Sequence, residues 1–385
     1  MKEGVLEDRE GSLEQIGERA MERIENKVTK EFEGEPYHNP EHPKGVGAAA
    51  EEGLDIAEQS GITVTKEMRR AGRFAAAAHD MVIRKRVNMT PGTFGYGTTM
   101  RYRGFGEKMP PAVRDALKGE KDRHGNEEAS WLELEQIMNE EDPDGAYFTE
   151  NVRRMARAAI AATYPDVEFP APFPSPDDAK IGRRNSAGEV EAVIDVTDML
   201  SKTEDGRPAG LKFFQPFLTA ESSLVTALVA IGDLSEGGRV DPREFRKKGN
   251  AEYWELRALL RQRIADGFAD LSDKPKERVV EMANAAKDML AWAQTQIGFL
   301  LWQKIRFAEI LQTNPDMNEF FREKMRRIYS HFDANILDAY YRAGTLSGRF
   351  KQLMEPAAFT HNPHAETELR DLASMMDYDE FPLQK

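Results

Sequence analysis

The chain has 385 residues, of which 40% are hydrophobic and 31% are charged, a composition typical of a globular protein with a large core. Its formal net charge of −14 argues against a general affinity for nucleic acid, because neutralising phosphates requires a broad basic surface. The lack of cysteine excludes disulfides, thiolate metal sites and cysteine nucleophiles, so any metal ion must be bound by His, Asp and Glu.

No stretch of the sequence approaches the roughly 18 to 20 uncharged apolar residues of a membrane-spanning helix. The N-terminal segment MKEGVLEDREGSLEQ is too acidic and too polar for a signal peptide. We therefore expect a cytoplasmic protein without a membrane partner.

Residues 11–31 carry apolar side chains at the three-and-four spacing of an amphipathic helix. This helix leads into the segment YHNPEH, which contains His38 and His42, two of the seven histidines in the chain. Asn39 is a favourable N-cap and Pro40 is tolerated at the first helical position, so the pattern predicts that a second helix begins here. His42 then lies in the first turn of that helix, and His38 lies just outside it.

The next predicted helix, KEMRRAGRFAAAAHDMVIRK, has four consecutive alanines shortly before the pair His79-Asp80. Alanines let another helix approach closely, and a buried His-Asp pair is costly without a partner. We predict that His79 and Asp80 bind a metal ion together with His42, since imidazole and carboxylate together suit Mn²⁺, Fe²⁺, Zn²⁺ or Ni²⁺. A later aspartate, Asp198 or Asp233, is a candidate for a further ligand.

The rest of the chain divides by composition. Residues 88–125 are rich in glycine, proline and basic residues, which predicts a long loop or lid, and residues 168–215 are predicted to be an irregular insertion. Alternating strand patterns are scarce, so we expect an all-α fold. It would comprise a metal-binding helical domain over residues 1–240, a C-terminal helical region over residues 241–355 and a polar tail over residues 356–385.

Three elements of the sequence together resemble the HD-domain superfamily of metal-dependent phosphohydrolases. They are Tyr37-His38-Asn39-x-x-His42, then His79-Asp80 after an alanine-rich helix, then a later helical aspartate. The segment Asn126-Glu127-Glu128-Ala129-Ser130 also resembles one that follows the HD pair in some small members. The likeness covers roughly residues 10–240 and implies an HD-domain helical bundle with an appended C-terminal helical region.

The resemblance implies one divalent transition metal, with Mn, Fe, Co, Ni and Zn as the candidates and Mg as a further one, held by His42, His79, Asp80 and a final aspartate. Two-metal branches have extra histidines between the HD pair and that aspartate, whereas only His124 lies in this interval. Asp233 is favoured as the final ligand, because a carboxylate at the end of the apolar helix over residues 224–231 requires a cation or a donor. Asp198, between two irregular polar stretches, is the alternative.

The resemblance further implies an enzyme that hydrolyses a phosphate ester, with nucleotides among the candidate substrates. His38 is expected to protonate the leaving oxygen, and Glu127 or Glu128 to orient the attacking water. The basic residues expected to bind the small anionic substrate are Arg84, Lys85 and Arg86. Two alternative functions are a di-iron oxygenase built on the same helical scaffold and a regulatory module whose metal site is structural.

Overall fold

The structure is a computed structural model that describes residues 2–32, 37, 39–82, 125–163, 165–185, 187–255, 257–353, 357, 360 and 363–376. Its helices are α1 Lys2–Glu31, α2 Glu41–Gln59, α3 Lys66–Ala78, α4 Gly125–Glu141, α5 Glu150–Thr163, α6 Leu224–Leu234, α7 Glu236–Arg239, α8 Pro242–Glu255, α9 Ala258–Ala265, α10 Pro275–Thr313, α11 Glu319–Ile328, α12 Phe332–Leu353 and α13 Ala365–Ser374. Its strands are β1 Asp166–Pro172, β2 Lys180–Arg184, β3 Val190–Asp195, β4 Ser201–Lys202 and β5 Pro208–Phe214. The described chain is mostly helical, as expected. None of the described helices is long and apolar enough to cross a membrane.

Residues 168–215, predicted to be an irregular insertion, contain most of the strand residues of the structure, so a purely helical fold is too simple a description. An antiparallel sheet has the strand order β1-β5-β4, and β2 pairs with β3 as an antiparallel hairpin. The prolines of β1, Pro170 and Pro172, interrupt any continuous strand pattern. β3 alternates only between exposed and half-buried side chains. Neither strand therefore shows the apolar alternation from which strands are recognised in a sequence.

The first hydrophobic core lies between α2, α3, α5 and α6, which contact one another. α6 lies at its centre, and every residue of this helix from Leu224 to Gly232 is buried. α1 and α4 pack on the outside of this core, and the end of α10 together with α11 contributes further buried side chains. The elements of this core carry the histidines and aspartates predicted to bind metal.

The second hydrophobic core combines residues from the strand segment with α8, α9, α12, α13 and the first part of α10. α10 is 39 residues long and contributes side chains to both cores, Trp292 and Leu300 to the second and Phe307 and Leu311 to the first. One continuous helix therefore links the core that contains the candidate metal ligands to the core that contains the strands.

β5 lies directly against α10 at a pair of glycines. A Cβ atom on Gly298 would lie 2.6 Å from the Cα of Gly210, and a Cβ atom on Gly210 would lie 2.7 Å from the Cα of Gly298. Both contacts are between backbones, so the sheet and the helix would have to separate to admit a side chain. This close approach requires glycine at both positions.

We expect the substitution Gly298→Ala to lower the free energy of unfolding by about 1 to 3 kcal/mol, because the new methyl group meets backbone that cannot move aside locally. The matched control is Gly348→Ala in α12, where a Cβ atom would have no neighbour within 4 Å. That change should leave stability equal or raise it by up to about 1 kcal/mol through helix propensity. Urea denaturation measures both, and equal stabilities of the two variants would contradict the close contact.

Candidate metal centre

The start of α2 positions His42. The helix begins at Glu41, one residue later than the expected start at Pro40. The Oδ1 atom of Asn39 accepts a hydrogen bond from the backbone N–H of Glu41 at 2.9 Å, and the Asn39 carbonyl accepts one from His42 N–H at 3.0 Å. The Asn39-Pro40 turn therefore does begin the helix and places His42 in its first turn.

The end of α3 positions His79 and Asp80. Ala75, Ala76 and Ala78 are fully buried in this helix, and His79 caps its C-terminus. The chain after the pair is held from another helix, because the backbone N–H of Val82 donates to Ser130 Oγ of α4 at 3.0 Å. Ser130 is fully buried, so this contact fixes the position of the segment directly after Asp80.

The last turn of α6 positions Asp233 beside α2. A Cβ atom on the preceding residue, Gly232, would lie 3.1 Å from the carbonyl oxygen of Val46 and 3.3 Å from the Cβ of Ala49. α6 and α2 therefore approach closely at Gly232. The carboxylate of Asp233 is consequently brought next to His42, although the two residues are far apart in the sequence.

Four side chains meet at this point. The Nε2 atoms of His42 and His79 lie 3.4 Å apart. Asp80 Oδ2 lies 3.5 Å from His42 Nε2 and 3.2 Å from His79 Nε2, and Asp233 Oδ1 lies 3.4 Å and 3.5 Å from the same two atoms. Adjacent ligand atoms around an ion with bonds of about 2.0 to 2.2 Å are roughly 2.8 to 3.1 Å apart in octahedral geometry and roughly 3.3 to 3.6 Å apart in tetrahedral geometry. His42, His79 and Asp80 thus form a group that could hold a metal ion, and Asp233 lies at the same spacing from both imidazoles.

A hydrogen bond on the far side of the ring orients His79. Its Nδ1 atom lies 2.8 Å from the carbonyl oxygen of Ala76, which can only accept, so Nδ1 carries a proton and donates. The neutral ring then has its lone pair on Nε2, the atom that faces His42 and the two carboxylates. A metal-binding histidine is commonly oriented by such a bond from its second nitrogen.

Charge at the cluster favours a cation. Burial lowers the pKa of His79, but the carboxylates of Asp80 and Asp233 raise it by more, so this pKa lies well above its usual value. Burial raises the pKa of Asp233, but hydrogen bonds from His42 and His79 lower it by more, so Asp233 stays ionised. Two neighbouring carboxylates at a largely buried position are stabilised by positive charge, which a divalent ion would supply.

Glu127, predicted from the sequence to act on water, lies in the first turn of α4 close to the cluster. Burial raises its pKa, and the nearby carboxylates of Asp80 and Asp233 raise it further, to about 7. A carboxyl group with this pKa can both accept and release a proton near neutral pH. Glu128 also lies in α4, but its side chain is outside the described part of the structure.

Tyr37 is a neighbour of the site that the sequence did not identify as a functional residue. Its ring centroid lies 5.4 Å from that of His42, and its backbone N–H donates to Glu255 Oε2 of α8 at 2.8 Å. Burial, followed by the charge of Glu252, raises the pKa of Tyr37 well above its usual value, so the phenol stays protonated. The only sequence signal for Tyr37 is its place directly before His38, and none points to Glu255, which is 218 residues away.

None of the remaining predicted site residues is found at the metal cluster in the described part of the structure. His38, Arg84, Lys85, Arg86 and the proposed lid up to residue 124 lie outside the described residues. Asp198 lies in a short turn at Thr197–Met199, where its Oδ2 atom accepts a hydrogen bond from Tyr340 Oη of α12 at 3.4 Å. The structure therefore brings Asp233, and not Asp198, to His42 and His79.

Comparisons with protein-family models, with curated proteins and with solved structures find no match to this chain. Membership of the HD-domain superfamily accordingly stays a prediction from the sequence. The candidate metal centre is defined by the geometry of its own side chains.

The two candidate aspartates can be separated by substitution. We expect Asp233→Asn to weaken metal binding at least tenfold, about 1.4 kcal/mol, because the amide removes a negative charge from the cluster. The control Asp198→Asn should leave the affinity nearly unchanged, since that residue contacts Tyr340 instead. Competition with a chelator measures both affinities, and the reverse order would move the site to the earlier segment.

We expect Ser130→Ala to weaken metal binding by about tenfold, because residues that hold the ligand-bearing segment commonly contribute this much to affinity. The change leaves the N–H of Val82 without its acceptor and loosens the chain after Asp80. Ser60→Ala is the matched control, because among the described residues its hydroxyl donates only to the carbonyl of Ile56 in the adjoining last turn of α2. Circular dichroism should show equal helical content in both variants, and equal metal affinities would count against this role for Ser130.

Proposed function

We propose that this protein is a metal-dependent hydrolase of phosphate esters. The observation that carries the proposal is the convergence of two imidazoles and two carboxylates from α2, the end of α3 and α6. The two imidazole Nε2 atoms lie 3.4 Å apart, and each lies 3.2 to 3.5 Å from an oxygen of both carboxylates. This donor set suits Mn, Fe, Co, Ni or Zn. The order of the four residues along the chain supports the HD-domain interpretation drawn from the sequence.

Each residue of the site would have a defined task. His42, His79, Asp80 and Asp233 would hold the ion. When bound, the ion would supply Lewis acidity, which polarises a phosphoryl oxygen and lowers the pKa of coordinated water. The Ala76 carbonyl keeps the His79 ring in its binding orientation, and Ser130 holds the chain beside Asp80.

Glu127 is the best-placed group to accept the proton of the attacking water. Asp80 and Asp233 are occupied as ligands, whereas Glu127 starts a different helix and lies within electrostatic reach of both. Burial and the neighbouring carboxylates raise its pKa to about 7, and the positive charge of a bound ion would favour the ionised form that accepts a proton. His38, next to Tyr37 in the sequence, is proposed to protonate the leaving oxygen, and the basic run over residues 84–86 to bind the phosphate.

Elemental analysis of the purified protein, followed by assays with a broad panel of phosphate esters in Mn²⁺, Mg²⁺, Co²⁺, Ni²⁺ and Fe²⁺, tests the proposal. We expect about one transition-metal ion per chain and hydrolysis of at least one class of ester. Two irons per chain with an optical signature would instead favour an oxygenase. One bound ion without hydrolysis of any ester would favour a regulatory module.

We expect Glu127→Gln to keep its metal but to lose turnover by about 10²- to 10⁴-fold, because the amide cannot accept a proton. Glu133→Gln in the same helix is the control, since its carboxylate forms a partly exposed ion pair with Lys27 of α1. That variant should retain both metal and turnover. Loss of metal from Glu127→Gln would make the residue a ligand, and unchanged turnover would remove its catalytic role.

A further inference from the structure

A pocket in the second core has an unbalanced charge. It lies between α8, α10 and α12 and includes none of the candidate metal ligands. Its empty volume is about 280 Å³ when open solvent is included, but the space open to the centre of a water molecule is only about 10 Å³, which is room for roughly one water-sized group. Two arginines, Arg246 and Arg342, line it together with Asn250, Gln296 and Asn335.

Arg342 forms no close ion pair in the described part of the chain, although the charge of Asp338, one turn earlier in α12, acts on it and partly opposes the lowering of its pKa. It donates to Asn250 Oδ1 at 2.7 Å, and the same Nη2 atom lies 2.7 Å from the sulfur of Met376. Arg246 forms an ion pair with Asp338 at 3.3 Å, so two positive groups share one carboxylate. Burial lowers the pKa of Arg342 to about 10, and repulsion from Arg246 contributes to the same shift. An added negative charge would relieve this repulsion.

The polar atoms around the pocket restrict the kind of ligand. Asn335 Nδ2 donates to the carbonyl of Val240 at 2.9 Å and also to that of Gly237. Its buried Oδ1 atom has no hydrogen-bond partner among the described residues and could accept one from a hydroxyl group or a water molecule. The positive charge of two guanidinium groups excludes a metal cation as the ligand of this pocket. Negatively charged oxygen atoms suit it, because they accept hydrogen bonds from the guanidinium N–H groups.

We propose that this pocket binds a small oxoanion, either a carboxylate or a phosphate group, through the guanidinium groups of Arg342 and Arg246. The pocket has room for roughly one oxygen-sized group of such an anion, so the rest of the molecule would extend into solvent. The site is separate from the metal centre, so this proposal does not depend on the proposed hydrolase activity.

The same chemistry has two possible sources. One is a free anion in solution. The other is the chain itself, because the acidic residues Asp377, Asp379 and Glu380 directly follow Met376, the residue that Arg342 contacts, and lie outside the described residues. The test therefore includes a variant, called the tail variant, that combines Asp377→Asn, Asp379→Asn and Glu380→Gln.

The experiment is calorimetric titration of the metal-loaded protein with inorganic phosphate at constant ionic strength. It compares the unchanged chain, Arg342→Met, the tail variant, and the tail variant combined with Arg342→Met. Arg326→Met in α11 is the control for lost charge, because Arg326 is half-exposed and pairs with Glu319 on its own helix. If Arg342→Met folds poorly, Arg342→Lys and Arg246→Met are used in its place. Arg342→Lys keeps the positive charge but loses the bidentate hydrogen-bond donor of the guanidinium group.

We expect one phosphate-binding event per chain that Arg342→Met weakens at least tenfold and Arg326→Met leaves unchanged. Phosphate binding in the tail variant but not in the unchanged chain, with loss of that binding when Arg342→Met is added, would also support the site. The acidic tail would then be its occupant in the unchanged chain. If neither the unchanged chain nor the tail variant shows an event that depends on Arg342 and Arg246, the proposal is overturned. Phosphate that binds at the metal centre is recognised because Asp233→Asn, and not Arg342→Met, changes it.

Discussion

The close approach of α2, α3 and α6 is the constraint on which the metal cluster depends. The contacts between these helices use the smallest side chains, Gly232 against the backbone of Val46 and buried alanines at the end of α3. A larger residue at Gly232 would push α2 outward and carry His42 away from Asp233. The carboxylate oxygens of Asp80 and Asp233 lie 3.2 to 3.5 Å from the imidazole nitrogens, so a displacement of about 1 Å would open the shell. The small residues are therefore as important to the site as the ligands.

The electrostatics of the cluster follow from its burial. His79 is 1% exposed, and the side chains of His42 and Asp233 are 9% and 11% exposed. At such positions the charged form of a carboxylate is stable only beside donors or a cation. The imidazoles of His42 and His79 supply part of this stabilisation, so the pKa of Asp233 is lowered. The carboxylates in turn raise the pKa of His79. A divalent ion would supply the rest of the stabilisation. Burial and the carboxylates of Asp80 and Asp233 raise the pKa of Glu127, and the positive charge of a bound ion would favour its ionised, proton-accepting form.

Residues beyond 235 also hold this site in place. Arg239 pairs with Glu52 of α2 at 2.8 Å, and Asn335 bonds to the backbone of the segment that follows Asp233. Glu255 accepts a hydrogen bond from the backbone of Tyr37, whose ring lies close to that of His42. α8 thus contacts the chain near the metal centre at its end and lines the arginine pocket at its middle. The C-terminal helices consequently take part in shaping the candidate active site.

The sequence by itself determined the features that arise from neighbouring residues. The Asn39-Pro40 turn predicted the start of α2, and the alanines before His79 predicted a closely packed helix. The cost of burying a carboxylate on an apolar helix favoured Asp233 over Asp198. Such features depend on hydrogen bonds and side-chain spacing within a few residues, which a sequence displays directly.

Only the tertiary structure decided what depends on distant contacts. It brought Asp233 to His42, joined Glu255 to Tyr37 and gathered Arg246 and Arg342 around one pocket. It also formed the strands between residues 166 and 214, whose pairing compensates for prolines and exposed side chains that hide the strand pattern. Apart from the β2-β3 hairpin and the short β4-β5 pair, these contacts join residues that are far apart along the chain and share no local signal, so the packing of whole helices and strands was needed to define them.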